Sequence, residues 1–320
     1  MSVRKALSRA GHQVALVDDR RVAQRAGRPF ATSWLRGRAR AFRPDRIVVG
    51  KARYVDPEVL AELCAGRGSV MWYHDLRIPP LEDIVARARV VDVLFVTAAG
   101  QIPDYEARGV RRAHFLPGAL DAWREGPVEP APELAADVAF IGAGYDAYRA
   151  EFLARVARRF RLRVWGPGWK PWARELDWAG GPARGEDLAR ICASARVVLG
   201  VDPSFQVEAA VRGYASNRMW RVVGCGGFFL GHASPGMREL LADGEHCAWY
   251  DGEDHAFAQL DRYLADDAAR RRIRAEGRAF VAAHHTFDQR IRNLLAGAPF
   301  VNPLTGAPFG SAGATSGAPP

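Results

Sequence analysis

Apolar residues in this chain cluster into short runs, and segments with the polar spacing of amphipathic helices separate these runs. Examples are the residues VLFV within 91–96 and VVLGV at 197–201. A strand that is apolar at every position fits a sheet that is covered on both faces, as parallel sheets are. Because such runs alternate with helical segments and glycine turns, the pattern predicts an α/β fold.

The N-terminal half is predicted to begin with a helix at 2–11, a strand at 12–18 and a weakly helical, arginine-rich segment at 20–43. Further strands are predicted at 46–49, 69–73, 91–96 and 114–116, and helices at 56–63, 81–88 and 105–108. A doubly wound domain has a strand and a glycine-rich turn before its first helix. We therefore expect either that the chain starts upstream of Met1 or that this domain lacks its first strand.

Two acidic residues, Asp18 and Asp19, follow the predicted strand 12–18. In a Rossmann domain this position binds a ribose. Because no glycine-rich fingerprint precedes them, we interpret both as turn residues at a strand end.

The second half is predicted to contain strands at 137–141, 162–165 and 197–201, with helices from Ala147 and at 186–194. Its most informative stretch is 216–250. That stretch is predicted to form a helix at 216–225, a turn at Gly226-Gly227, a strand at 228–231, a loop at 232–236, a helix from Met237 and a strand at 247–250. We expect a loop between 202 and 214.

An eleven-residue segment at 124–134, REGPVEPAPEL, separates the two halves. It is rich in proline and glutamate and has no periodicity, which is typical of a linker. We therefore predict an N-terminal domain at 1–123 and a C-terminal domain at 135–296. Residues 297–320 are rich in Gly and Pro and are predicted to be a disordered tail, with Phe300, Val301 and Phe309 as the only apolar anchors.

The net charge of +9 is carried almost entirely by arginine. A basic chain raises the question of nucleic-acid binding, but no nucleic-acid-binding motif is present, and we expect no such partner. A basic face also suits a diphosphate ligand or a peripheral contact with an anionic membrane.

The four cysteines are scattered, and no CxxC or His/carboxylate cluster with metal-ligand spacing occurs: Cys64, Cys192, Cys225 and Cys247. We expect buried thiols, no metal site and no cofactor. No apolar run approaches the ~20 residues of a transmembrane helix, and the N-terminus has no signal-peptide pattern, so a cytoplasmic protein is expected.

A candidate anion site follows the strand at 137–141. Gly142 and Gly144 allow a ligand to approach the backbone, and the free N–H groups of the next helix favour a phosphate there. Arg149 lies in the first turn of that helix. A structural turn with a solvated arginine is the alternative. Other candidate contacts lie beyond strand ends in the 216–250 stretch, because ligands of parallel sheets bind there: Ser216, Asn217, Arg218, His232, Pro235 and Gly236.

The 216–250 stretch also carries a family resemblance. The run from Asn217-Arg218 to Gly226-Gly227-Phe228, then Pro235-Gly236, Glu239-Leu240 and Gly244-Glu245-His246, resembles the donor-binding half of GT-B glycosyltransferases. It looks closest to the CgeB-like, spore-maturation-protein glycosyltransferase-like group, whose closing helices resemble 265–295. The resemblance covers about 135–295 well and the N-terminal third loosely.

The resemblance implies two Rossmann-like domains that face a cleft, and transfer of a sugar from a nucleotide-diphosphate sugar to an acceptor. The acceptor is a glycan, a lipid or a protein. It also implies that the loop Gly166 to Trp169 lies near the nucleotide base, where Trp165 or Trp169 stacks on it or else packs in the core. Glu239 matches a helix-start glutamate of the family. His74 and Asp75, after a strand of the acceptor-side domain, are the candidate catalytic residues, with a capping role for Asp75 and an ion pair to Arg77 as the alternative.

The sequence departs from the retaining GT-B pattern at its carboxylate pair. The two matching positions are Gly213 and Arg221, and CgeB-like relatives usually have a glutamate at the latter. Glu208 is a candidate replacement. A catalytically inactive GT-B-like protein that binds a nucleotide or a partner is therefore the alternative function.

Overall fold

The computed structural model describes residues 2–214 and 216–310, without the side chains of residues 205 and 206. The described chain divides into two compact units. Unit one comprises the residues up to Pro117 together with those from Asp288 onward, and unit two is Gly118–Phe287. The sequence predicted two domains that fold independently, with limits at 124–134 and 296. These limits stay a prediction.

Unit one contains a four-stranded parallel sheet in the order β1-β2-β3-β4. Its strands are β1 Arg46–Val49, β2 Gly68–Tyr73, β3 Val93–Val96 and β4 Ala113–Phe115. All four residues of β3 are buried, which follows from its central position between two strands and two covered faces. The sequence predicted each of these strands to within about two residues.

The helices of unit one cover this sheet and precede it: α1 Ser2–Arg9, α2 Asp19–Ala26, α3 Arg28–Phe42, α4 Pro57–Cys64, α5 Glu82–Ala88 and α6 Ile102–Ala107. The predicted strand at 12–18 is wrong, because this segment pairs with no strand and Leu16 is 59% exposed. Asp18 instead caps α2 by accepting a hydrogen bond from the Arg21 N–H at 3.0 Å. Asp19 accepts one from the Tyr54 N–H at 3.0 Å. Both acids therefore have structural contacts, but they lie at the start of a helix and not at the end of a strand.

The last helix, α14 (Phe287–Ala296), leads into a segment that packs on unit one. Phe300 and Phe309 are buried, and their rings lie 5.9 Å and 4.8 Å from the ring of Phe115. The expected disorder is therefore wrong for residues 297–310, because three aromatic rings form a cluster there. Residues 311–320 lie outside the described part of the chain.

Unit two contains a six-stranded sheet in the order β10-β9-β8-β5-β6-β7, and every neighbouring pair is parallel. Its strands are β5 Ala136–Ile141, β6 Leu162–Trp165, β7 Asp177–Gly180, β8 Ala195–Gly200, β9 Phe229–His232 and β10 Ala248–Tyr250. The order reverses between β5 and its neighbours β8 and β6, which makes the carboxyl end of β5 a topological switch point. The sequence did not predict β7.

Seven helices of unit two flank this sheet: α7 Ala147–Ala157, α8 Glu186–Ser194, α9 Ser204–Ala209, α10 Asn217–Gly224, α11 Met237–Leu240, α12 Glu253–Ala265 and α13 Asp267–His284. The segment 202–214, which was expected to be a loop, instead contains the helix α9. The core between sheet and helices is apolar and includes Phe140, Phe152, Trp169 and Phe228.

All four cysteines are buried free thiols, as predicted. No helix within the described residues is long and apolar enough to cross a membrane. The same residues contain no group of three or more His, Cys, Asp or Glu side chains that could hold a metal ion.

Candidate functional site

The glycine turn after β5 is shaped by side chains that pack against it. A Cβ at Gly142 would lie 2.6 Å from Nη1 of Arg218, and one at Gly144 would lie 2.5 Å from the ring of Trp169. Gly166, at φ +139°, abuts the carbonyl of Gly142 in the neighbouring loop. These contacts require glycine at all three positions. They leave Gly144 and Gly166 buried, so that of the three only Gly142 is partly exposed at the switch point.

Two arginines, Arg149 and Arg218, meet at this turn from different helices. Arg149 on α7 donates hydrogen bonds to the carbonyls of Val201 (3.0 Å) and Ala143 (2.9 Å). Arg218 in the first turn of α10 donates to the carbonyls of Ile141 (2.9 Å) and Val201 (3.3 Å). Both guanidinium groups therefore lie at the carboxyl ends of β5 and β8.

The electrostatics of the two guanidinium groups are unfavourable without an anion. Burial lowers the pKa of Arg218 to about 10, with a further contribution from the positive charge of Arg149. Burial also lowers the pKa of Arg149. Both cations lie over the ring of Phe140, with the Cζ of Arg218 at 4.7 Å from its centroid. Among the described residues, no carboxylate lies within ion-pair distance of either group, and Asp202 acts on them only from further away.

The start of α10 does not offer all of its predicted contacts. Ser216 is the N-cap residue, but its side chain makes no capping bond, so the first N–H groups of the helix lack that partner. The amide oxygen of Asn217 accepts a hydrogen bond from the Ala119 N–H at 3.1 Å, which fixes the chain at Gly118. Asn217 thus has a structural contact, and Arg218 is the residue that reaches the glycine turn.

A polar cluster lies at the carboxyl ends of β8 and β9. Nδ1 of His232 is 3.3 Å from Oδ2 of Asp202, and the hydroxyl of Ser234 donates to the same oxygen at 2.9 Å. Asp202 therefore orients the His232 ring at the strand end. The sequence identified His232 but not the two residues that position it.

The loop after β9 turns into α11. Gly236 has φ +81° at the start of α11, and the carbonyl of Pro235 accepts a hydrogen bond from the Gly213 N–H at 2.7 Å. Glu239 accepts a hydrogen bond from Arg212 at 2.7 Å. These contacts tie 212–213 to 235–239, but they do not bring Glu239 to the two arginines at β5.

Of the two alternatives for Trp165 and Trp169, the structure agrees with packing in the core and not with stacking on a base. Trp169 is fully buried and donates from Nε1 to the Gly142 carbonyl at 2.9 Å, and Trp165 is only 5% exposed. Two aromatic residues that the sequence analysis missed are exposed nearby, namely Tyr145 and Trp178. Tyr145 lies over Gly168, and only its position after the glycine turn could have indicated it.

Comparisons with known proteins agree with this architecture. The model of a family described as glycosyl transferase-like matches residues 149–296. Anabaena Alr3699/HepE, solved in complex with UDP-glucose, is 10% identical over 92% of this chain and 88% of that chain, with a TM-score of 0.64. A glycosyltransferase from Rickettsia africae is 8% identical over 92% of both chains, with a TM-score of 0.63.

The sucrose-phosphate synthase from Thermosynechococcus elongatus is 13% identical over 90% of this chain and 82% of that chain, with a TM-score of 0.62. The chain has the GT-B fold. No curated protein matches its sequence.

In this GT-B chain the departure at Arg221 has a structural counterpart. Nε of Arg221 donates to Oε1 of Glu125 at 2.7 Å, and the other oxygen of Glu125 accepts from the Asp121 N–H at 3.3 Å. The buried carboxylate of Glu125 is therefore fully used in holding 121–125 on α10. Glu208 is exposed on α9.

His74 and Asp75 lie in unit one, after β2. The carboxylate of Asp75 forms an ion pair with Lys51, not with Arg77, whose guanidinium donates to the Leu76 carbonyl. The His74 ring lies 4.3 Å from the Trp72 ring, and burial lowers the pKa of His74 to about 4. His74 is therefore neutral at pH 7, which suits a hydrogen-bonding role better than that of a charged acid.

Proposed function

We propose that this GT-B chain transfers a sugar from a nucleotide-diphosphate sugar to an acceptor, and that it belongs among the CgeB-like glycosyltransferases. Unit two binds the donor. The support is the glycosyl transferase-like family match at 149–296 and a GT-B neighbour whose structure contains UDP-glucose. The pairing of Asn217-Arg218 with Gly226-Gly227 supports the CgeB-like assignment.

The observation that carries this proposal is the pair of cations at the glycine turn, neither of which has an ion-pair partner among the described residues. Arg149 and Arg218 hydrogen-bond to main-chain carbonyls, which align them but neutralise no charge. Each guanidinium has five N–H donors, so donors are left for a phosphate. A diphosphate at the turn after β5 receives two charge-assisted contacts, and its negative charge relieves the repulsion between the two arginines.

The same contacts serve the reaction. The bond to the anomeric carbon breaks as the nucleoside diphosphate leaves, so negative charge develops on the diphosphate, and fixed cations stabilise that charge. We assign this role to the two arginines and therefore require no metal ion. We assign the partly exposed backbone at Gly142 to close approach of the donor, whereas the buried Gly144 and Gly166 shape the turn. We assign polar contacts with the donor to His232, which Asp202 positions.

His74 and Asp75 remain the proposed catalytic residues on the acceptor side, with a revised division of roles. Asp75 is held by Lys51 and His74 is neutral. A neutral imidazole accepts a proton or positions an acceptor hydroxyl. We therefore assign contact with the acceptor hydroxyl to His74 and the fixing of this loop to Asp75.

One observation favours an inactive, nucleotide-binding protein as the second candidate. Arg221 replaces the family's glutamate, and its partner Glu125 is buried and has both oxygens engaged. If no other carboxylate binds the ribose, the donor is held by its diphosphate alone. This candidate predicts binding of UDP or GDP without turnover.

The test measures binding and turnover on the same variants. UDP and GDP affinity is measured by calorimetry, and release of UDP or GDP from a panel of nucleotide sugars is measured by chromatography. We expect Arg149→Gln and Arg218→Gln each to weaken binding about tenfold or more, because a charged hydrogen bond contributes about 1.5–3 kcal/mol. Arg158→Gln, an exposed arginine at the other end of α7, is the matched control and retains wild-type affinity.

The outcomes separate the two candidates. Binding with turnover supports the transferase, and binding that the arginine variants lose without any turnover supports the inactive protein. If both arginine variants keep wild-type affinity but unfold at a lower temperature, the two arginines are purely structural. That result would remove the basis of the proposal.

A further inference from the structure

Most of the net positive charge of the chain lies in one short segment of unit one. Residues 19–43, which form α2 and α3, contain eight arginines and one aspartate, a net charge of +7 where the whole chain has +9. All of these arginines except Arg36 are exposed. A charge this concentrated creates a local field that attracts anionic surfaces.

Little of this charge is compensated. Within residues 2–214 and 216–310, only two of the eight arginines form ion pairs: Arg28 with Asp56 at 3.9 Å and Arg36 with Glu62 at 2.7 Å. Exposed pairs of this kind contribute little to stability. The arginines are therefore not explained by the folding of unit one.

The helix α3 presents an apolar face to the outside. Phe30, Gly37 and Ala41 are all exposed and occupy positions i, i+7 and i+11, which fall on one side of a helix. Phe30 is 55% exposed, although a phenylalanine gains free energy when it is buried. Arg38 and Arg40, both exposed, follow Gly37 at steps that place them on opposite flanks of this face.

The opposite side of α3 packs on unit one. Ala31 and Leu35, together with Val22 of α2 and Tyr54, line the small internal space between the helices and the rest of the unit. The side of α3 that packs on unit one is therefore a different side from the outward face.

We propose that residues 19–43, the basic helical surface, dock this protein on a bilayer that contains anionic lipids. An exposed helix with apolar residues on one face and arginines on its flanks lies in the plane of a membrane interface. The arginines contact headgroup phosphates, and Phe30 enters the boundary between headgroups and acyl chains. At 15 residues, α3 extends about 22 Å along such a surface.

The apolar residues favour a bilayer over a nucleic acid. Phosphates of either ligand would attract the arginines. However, Phe30 gains free energy from burial in a hydrocarbon boundary, and Gly37 and Ala41 beside it have no ring that could stack on a base. The chain also has no nucleic-acid-binding motif. Docking by unit one is independent of donor binding by unit two and requires no turnover.

Vesicle co-sedimentation of the full chain tests the proposal. We expect binding to vesicles with equal parts of phosphatidylglycerol and phosphatidylcholine and little binding to phosphatidylcholine alone. The double variant Arg38→Gln/Arg40→Gln should weaken binding roughly 25-fold, at about fivefold for each arginine near an anionic surface. Phe30→Ser should lower the fraction of binding that survives at about 1 M salt, where charge interactions are screened.

The matched control is Arg158→Gln/Arg184→Gln, which removes two exposed arginines from unit two and should bind like the wild type. Unchanged thermal unfolding of each variant shows that the fold is intact. Equal losses in the test and control variants would overturn the proposal, because they would reflect net charge alone. Binding to a DNA or RNA oligonucleotide without binding to anionic vesicles would also overturn it, in favour of a nucleic-acid partner.

Discussion

Gly277 lies at the closest approach between α13 and the segment before β10. A Cβ at this position would clash with the main-chain carbonyl of His246 and would lie 2.9 Å from Cγ1 of Val223. A carbonyl fixed by its own chain cannot move aside as a flexible side chain can. The helix therefore requires glycine here in spite of its low helix propensity.

We predict that Gly277→Ala lowers the free energy of unfolding by about 1–3 kcal/mol, the usual cost of overpacking a tight contact. Urea denaturation measures the change. Gly37→Ala in α3 is the matched control, because no atom lies within 4 Å of the added Cβ and the same substitution should stabilise the helix by about 0.5–1 kcal/mol. Equal effects of the two substitutions would mean that helix propensity alone determines the change in the free energy of unfolding.

The depressed pKa of His74 makes the stability of unit one depend on pH. Burial against Trp72 lowers this pKa from 6.5 to about 4. Between these two pH values His74 is protonated in the unfolded chain and neutral in the folded chain. The stabilisation is present above pH 6.5 and is lost as the pH falls toward 4. A shift of this size corresponds to about 3 kcal/mol as an upper bound.

We therefore predict that the free energy of unfolding falls more steeply between pH 6.5 and 4 in the wild type than in His74→Gln. Chemical denaturation at several pH values measures both slopes. His12→Gln, which removes an exposed histidine of the same unit, is the matched control and should retain the wild-type slope. Parallel slopes in the wild type and His74→Gln would show that His74 is solvated in the folded state.

At this scale the sequence predicted the charged residues of the candidate site better than its aromatic residues. Arg149 and Arg218 were identified because each lies at a helix start next to a strand end, where the topology fixes the position. For Trp169 the sequence left base stacking and core packing open, because its burial depends on the glycine loops that close around it, and those contacts are distant in sequence. Asp202 was missed because only the pairing of β8 with β9 brings it to His232.

Single elements were predictable where their signal is local. The buried strands β3 and β8 have apolar residues at nearly every position, and no other element explains such runs. The segment 12–18 has similar local residues but remains unpaired, because a strand needs a free sheet edge as well as β propensity. The position of the segment after α14 could not be predicted. Its few apolar residues are stabilised only by contact with Phe115, which is distant in sequence.

We predict that Phe309→Ala lowers the free energy of unfolding by roughly 3 kcal/mol, the lower end for a buried phenylalanine. The ring is 5% exposed and lies 4.8 Å from Phe115, while the Phe309 N–H donates to the Phe300 carbonyl at 3.1 Å. Leu304→Ala, at a residue 41% exposed in the same segment, should change stability by less than about 0.5 kcal/mol. Equal small effects would mean that the segment is detached in solution.

For the whole molecule, chain order and spatial organisation differ. Unit two is continuous, whereas unit one combines the N-terminal residues up to Pro117 with the chain from Asp288 onward. The linker-like composition at 124–134 indicated two α/β units, but composition cannot show that the C-terminal segment returns to the first unit. That return depends on long-range contacts, such as the hydrogen bond from the buried Arg290 to the Pro117 carbonyl at 3.1 Å.

This discontinuity predicts the effect of a truncation. A chain that ends at residue 287 retains all ten strands but loses α14 from Asp288 onward and the aromatic cluster on Phe115. We expect hydrogen–deuterium exchange to show lost protection in β1–β4 and retained protection in β5–β10, because each unit has a core of its own. Stabilisation by UDP should also be retained, since the proposed donor contacts lie in unit two.

A change confined to α14 and its immediate neighbours would show that the N-terminal residues of unit one fold without the C-terminal segment. Uniform loss of protection in all ten strands would show that the two units unfold as one cooperative block. The double substitution Phe300→Ala/Phe309→Ala in the full chain is the matched comparison, because it weakens the same cluster while α14 remains. It should reduce protection in β1–β4 by less than the truncation does, since Arg290 still holds Pro117.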